Sequence, residues 1–154
     1  MSFGAGSRVL DLASSFGRPA VPLARALPHV SVISTDLSPV SAPLVRKYAA
    51  AQGVANITAQ AADAQDLADF SNNSFAAVTC TYGFMFMPDL DKALQEANRV
   101  LQPGGLLVAT VWGEVENCQN AQVSGCRIGC CSSVPYTVSI ILQSWCALVD
   151  VFVH

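Results

Sequence analysis

The pattern that most constrains this chain is an alternation. From residue 8 to residue 113, short β-like runs take turns with helical segments at the spacing of strand–helix–strand units. Residues 8–12, "RVLDL", form a short apolar run of the kind that a buried parallel strand carries. Residues 19–27 then read as a helix. Pro19 fits its first turn, where a missing N–H costs nothing, and Pro22 is close enough to the start to be tolerated. Residues 29–36, "HVSVISTD", give a second strand, and 39–52 a second helix stopped by Gly53. Residues 56–63, "NITAQAAD", give a third strand; after a polar stretch with "SNNS" comes a fourth, residues 75–83, "FAAVTCTYG". The clearest helix spans 89–101, with Leu90, Leu94, Ala97 and Leu101 on one face and "PGG" at its end, before a fifth strand at 106–113. Such an order predicts an α/β domain with a parallel sheet covered on both faces. Right-handed crossovers align the strand C-termini along one edge, where ligands bind.

Three acids fall on that edge: Asp11 near the end of the first strand, Asp36 at the end of the second and Asp63 at the end of the third. Asp is common at such places as a turn former or helix cap, so each alone is an ordinary residue. Together they surround a loop of small residues, "DLASSFG" at 11–17. Asp36 stands 19 residues beyond Gly17, the separation expected of a carboxylate that accepts hydrogen bonds from ribose hydroxyls. A dinucleotide loop carries G-x-G-x-x-G so that its backbone can approach a pyrophosphate. Here an acid precedes a loop with a single glycine. That disfavours two phosphates, and with them a nicotinamide oxidoreductase, and suits a cationic or zwitterionic ligand such as S-adenosylmethionine.

Composition narrows the partners. A net charge of −3 with only 12% charged residues leaves no electrostatic footprint for nucleic acid. The N-terminus has no basic region leading into an apolar run, so no signal peptide is read and a cytoplasmic location is expected. Cys80 stands alone, whereas Cys118, Cys126, Cys130, Cys131 and Cys146 crowd the C-terminal part. Without a CxxC pair or a nearby His, free thiols are expected rather than a metal site. Residues 128–149 carry no charge. Their Ser, Gln and Pro content argues against a transmembrane helix, and the β-branched bias of "YTVSIIL" and "VDVFV" suits two short strands.

The segments "RVLDLASSFGRPA", "VISTDLSP", "AADAQDL" and "SFAAVTCTYGFMFMPDLDKALQEANRVLQPGGLLVATVWG" resemble, in order and spacing, the class I S-adenosylmethionine-dependent methyltransferases. The nearest resemblance is to the branch with the ubiquinone/menaquinone biosynthesis C-methyltransferases. It covers residues 7 to 113 and implies a Rossmann-like, doubly wound sheet with five parallel strands in the order 3-2-1-4-5. The cofactor it implies is S-adenosylmethionine, and the partner a small-molecule acceptor, apolar or quinone-like. In cofactor binding it places Asp11, Ala13, Ser15 and Gly17 in the first loop, Asp36 on the ribose, Leu37 near the adenine, Asp63 and Ala64 at the adenine amino group, and Thr81 at the methyl-donor pocket. Tyr82 and Phe84 would face the substrate. Residues 84–87, "FMFM", suit an apolar pocket wall or ordinary core equally well. No general base matches a family position.

Two departures from the family pattern stand out. Ala13 and Ser15 occupy places where D-x-G-x-G-x-G has glycine, and Ser15 is expected to weaken cofactor binding through a positive φ. The family also has helices before the first strand and, after the fifth, a helix and a closing antiparallel hairpin. Neither pattern is matched here. The expected organisation is therefore a methyltransferase domain over residues 1–113 and an atypical tail over 114–154, with the fifth strand left as an open edge. An inactive fragment that keeps the fold is the alternative to an active enzyme.

Overall fold

The run at residues 8–12 is apolar because the strand it forms has sheet on both sides and helices above and below. The computed structural model describes residues 3–112, 138–144 and 147–153. In it β1 (Arg8–Leu12) lies between two parallel neighbours, β2 (Ser31–Asp36) and β4 (Phe75–Thr81). The parallel sheet continues through β3 (Ile57–Ala61) beside β2 and β5 (Leu101–Trp112) beside β4. The expected order 3-2-1-4-5 is the order observed.

Successive side chains of a strand point to opposite faces, and the core divides accordingly. Val9, Val32 and Ala77 pack with Ala20 and Ala24 of α1 (Ala20–Ala26). On that same side Val45 and Ala49 of α2 (Ser41–Ala51) form a further cluster with Val21. Leu10, Ile33 and Val78 face the other way, toward Ala93, Ala97 and Val100 of α3 (Leu90–Val100). The buried stripe of α3 is thus alanine-rich, with Leu90 and Leu94 packed at its margin. Small residues let the helix backbone approach the sheet closely, which a stripe of leucines would not.

Side-chain hydrogen bonds fix how the helices meet the strands. Asp89 caps α3 by accepting from the Lys92 N–H at 2.9 Å. At its far end Arg99 donates to both carboxylate oxygens of Glu96, at 2.7 and 2.8 Å, and to the carbonyls of Leu67 and Phe70. Across the sheet, the Asn56 amide donates to three carbonyls, those of Ala24, Leu27 and Val30, at 2.9, 3.0 and 2.8 Å. One side chain thereby closes the C-terminal end of α1 and the approach to β2.

Two sequence expectations change at the C-terminal side. The helix ends at Val100, before "PGG", because Leu101 already pairs with Phe75. Leu106 pairs with Ala77, so the residues between loop out of the ladder, with Gly104 at φ +76°. The expected open edge of the fifth strand is also corrected. β6 (Val138–Ser144) and β7 (Ala147–Val153) form an antiparallel hairpin, and β7 pairs antiparallel with β5 from Leu107↔Val153 to Trp112↔Leu148. The seven-stranded order is β3-β2-β1-β4-β5-β7-β6. The β-branched bias of these segments was the signal for strands; no family-like motif accompanied it. The cysteines at 118–131 lie outside the described residues, as does Cys146. Among the described residues no helix is long and apolar enough to cross a membrane.

Candidate functional site

The loop from β1 to α1 turns on three residues with left-handed backbone: Ala13 at φ +52°, Ser15 at +53° and Gly17 at +82°. The two places where glycine is replaced are therefore places where the backbone still adopts the conformation that glycine favours. For an L-residue such a conformation costs about 1–2 kcal/mol. Hydrogen bonds from the loop offset that cost: Ser14 N–H donates to the Thr35 carbonyl at 2.9 Å and Gly17 N–H to the Ser14 carbonyl at 2.8 Å. Ser15 N–H donates to Asp36 Oδ2 at 2.8 Å, and Asp36 Oδ1 accepts from Ser38 N–H at 2.9 Å. Asp36 consequently ties the first loop to the end of β2. Each of its oxygens retains a lone pair for a further donor.

Asp11 lies beneath this loop, fully buried. Its Oδ1 accepts from the Thr79 hydroxyl on β4, and its carbonyl accepts from the Thr35 hydroxyl at 2.9 Å. Oδ2 and the Ser14 hydroxyl are buried with no hydrogen-bond partner among the described residues. Burial pushes the Asp11 carboxyl up from 3.8 to about 6; the nearby Ser14 hydroxyl and then the bond from Thr79 oppose the shift, and the charge of Asp36 adds to it.

Above these residues, at the C-terminal edge of the parallel strands, is a cavity of about 380 Å³, within the range of small-ligand pockets. Ala13, Ser15, Asp36 and Leu37 line one side of it; Asp63, Ala64, Thr81 and Tyr82 line it further round. Eight of the expected site residues thus come together. Three do not: Asp11 lies below the floor, Gly17 packs against Val21 and Val45, and Phe84 is in the core with only 4% of its surface exposed. The substrate contact expected of Phe84 is corrected accordingly. A 3-10 turn at Phe84–Phe86 points residue 84 inward and leaves Phe86 76% exposed on the pocket wall with Met87. The "FMFM" segment is therefore core at one phenylalanine and wall at the other.

Gly83, which the family resemblance groups with Thr81 and Tyr82 at the pocket, also lines the cavity, as does Gln65, which the sequence pattern did not single out. Gln65 donates through both its backbone N–H and its side-chain amide to Asp63 Oδ1, at 2.8 and 3.2 Å, and its Oε1 accepts from Asp89 N–H at 2.8 Å. It orients Asp63 and connects it to the start of α3. The polar run "ADAQD" was the available signal. Tyr82 has φ +56°, and its N–H meets the Thr110 carbonyl on β5 at 2.9 Å. Among the described residues, two carboxylates line the cavity and no Lys, Arg or His does. A ligand with a cationic or hydroxyl-bearing portion matches this lining. A pyrophosphate does not.

Comparison with known proteins agrees with this geometry. The sequence pattern of a family described as "Methyltransferase domain" matches residues 9–105. The demethylmenaquinone methyltransferase of Thermus thermophilus is 39% identical over 104 residues, which cover 68% of this chain and 46% of that protein. The chain thus spans under half the length of that curated relative. Among solved structures, phosphoethanolamine N-methyltransferase 2 of Haemonchus contortus, in complex with S-adenosyl-L-methionine, is similar with a TM-score of 0.64 and 26% identity. That match covers 73% of this chain and 26% of that one. A SAM-dependent methyltransferase of Aquifex aeolicus shares the fold across 97% of this chain and 84% of its own, with a TM-score of 0.77 at 14% identity.

Proposed function

This chain belongs to the methyltransferase-domain family, and from that premise we propose that it binds S-adenosylmethionine in the 380 Å³ cavity and methylates a small apolar acceptor of quinone type. The observation that carries the proposal is the lining: two strand-end carboxylates, a left-handed loop and, among the described residues, no cationic side chain. The relative named as a demethylmenaquinone methyltransferase supports the acceptor class.

The residues present fit that cofactor. Asp36 has lone pairs left for ribose hydroxyls, and Leu37, 72% exposed beside it, offers an apolar surface to the adenine. Asp63, oriented by Gln65, would accept from the adenine amino group. The backbone of residues 13–17 would hold the methionine portion. Asp11 beneath adds negative potential, and no salt bridge to it forms among the described residues. When bound, the cofactor supplies an electrophilic methyl on a sulfonium. The protein's part is then alignment and exclusion of water, because in-line displacement disperses positive charge. Phe86 and Met87 present an apolar wall, and Tyr82 stands at its start. Among the described residues the lining holds Asp36, Asp63 and Tyr82 as titratable groups, and each Asp36 oxygen accepts from one backbone amide.

Calorimetry with S-adenosylmethionine, S-adenosylhomocysteine and NAD tests the reading. Binding of the first two but not NAD is expected; binding of NAD alone, or of none by folded protein, removes it. A second reading, a fold that binds the cofactor weakly without turnover, is favoured by Ser15 in left-handed backbone. Measurable binding with no methyl transfer to any quinol acceptor would select it.

A further inference from the structure

Gly83 lies at the end of β4, where φ is −88°, a value any residue adopts. Its backbone conformation therefore gives no reason for glycine. Its surroundings do. A Cβ built on Gly83 would lie 2.5 Å from the Ala13 methyl and 2.6 Å from Cys80 Sγ, with the next neighbour, Met87 Cε, at 3.8 Å. Both close distances are inside van der Waals contact, so one more methyl group here forces something to move.

The two neighbours differ in how they can move. Cys80 Sγ can swing about a single side-chain torsion. The Ala13 methyl is attached to the backbone, and that backbone sits at φ +52° at the start of the loop. Displacing it displaces the amides that follow, those of Ser14, Ser15 and Gly17, which donate to Thr35, Asp36 and Ser14. Ala13 stands where the family pattern has glycine, so its methyl needs room that the loop itself does not provide.

We infer that Gly83 is a positioning residue: by carrying no side chain it seats the Ala13 methyl and holds residues 13–17 in the arrangement that brings Ser15 N–H to Asp36. Its consequence for ligand binding rests on the cofactor reading above; its consequence for the loop does not. Contact across 70 positions of sequence thus couples the end of β4 to the loop after β1.

The test uses the full chain, G83A, and two double variants, A13G/G83A and C80A/G83A, followed by amide hydrogen exchange and by S-adenosylhomocysteine calorimetry. In G83A, exchange at Ser14, Ser15 and Gly17 is expected to quicken about tenfold or more, as overpacking by one methyl group typically gives, with β2 and β3 amides unchanged. A13G should restore slow exchange, and C80A should not. Unchanged exchange in G83A, or rescue by A13G no better than rescue by C80A, overturns the inference. If G83A does not fold, recovery of a cooperative thermal melt by A13G and not by C80A is the supporting result, and any other pattern overturns it. Ligand affinity should fall and return with the exchange rates. If the exchange pattern holds while the parent chain binds no S-adenosylhomocysteine, the cofactor reading fails and the role of Gly83 stands.

Discussion

On one side of the cavity, residues 13–17 are held by backbone hydrogen bonds to β2, over a fully buried acid. On the other, residues 82–88 are anchored by the Tyr82 N–H bond to Thr110 and by apolar packing, with Phe84 sunk in the core and Phe86 left mostly exposed. The first wall is built largely from main-chain groups, so its chemistry depends little on which small side chains it carries. The second is built from side chains, and each substitution changes what it presents. A common ligand portion would be read by the first wall and a variable one by the second. This division is what one expects of a fold that keeps a methyl donor while its acceptors differ.

Four experiments break or sharpen that contrast. The largest effect belongs to Asp36→Ala, which removes the acceptor of Ser15 N–H, of Ser38 N–H and of the proposed ribose hydroxyls. Cofactor affinity measured by calorimetry should fall about a hundredfold, the usual scale for losing charge-assisted hydrogen bonds. Unaltered affinity would show that the first wall does not read the ligand through this residue.

Next comes Asp11→Asn. A buried carboxyl raised to about 6 binds its proton more tightly folded than unfolded, so its ionisation opposes folding. That penalty is absent below the unfolded value and complete above the folded one. Stability of the parent chain should therefore fall as pH rises from about 4 to about 6, by ~2 kcal/mol for this group. Chemical denaturation of the Asn variant should lack this slope and show greater stability at pH 7. A parallel slope in both proteins would assign the pH dependence elsewhere.

Ser15→Gly should stabilise the fold by ~1 kcal/mol, by relieving left-handed strain that the loop already carries at φ +53°, and leave cofactor affinity nearly unchanged in calorimetry. Looser binding would mean that the Ser15 side chain contributes a contact. The smallest effect on the fold is expected from Phe86→Ala, because the ring is exposed. Its melting temperature should shift by no more than the equivalent of about 0.5 kcal/mol. Donor affinity should hold while the Michaelis constant for a quinol acceptor rises, placing the second wall on the acceptor side. A loss of donor affinity instead would erase the distinction between the walls.

How much of this was legible in the sequence follows from the range of the interactions involved. β1 and β4 announce themselves because burial on both faces demands a continuous apolar run, and the acids at 36 and 63 because strand ends face one edge. The split between Phe84 and Phe86 is decided by a single 3-10 turn, and two identical side chains cannot signal which one faces inward. Gly83 was invisible as a constraint for a different reason: its φ is ordinary, and the group that forbids a side chain is on Ala13. For the hairpin, composition suggested strands, but pairing of β7 with β5 is a long-range match that no local pattern encodes.

The Asn56 amide has a consequence of its own for the lifetime of the folded protein. Its two hydrogens serve three carbonyl oxygens at once. Slow hydrolysis of the amide to a carboxylate would turn the donor into an anion facing three acceptors. Ageing at this one side chain would then loosen α1 from the sheet, on the side of the domain away from α3.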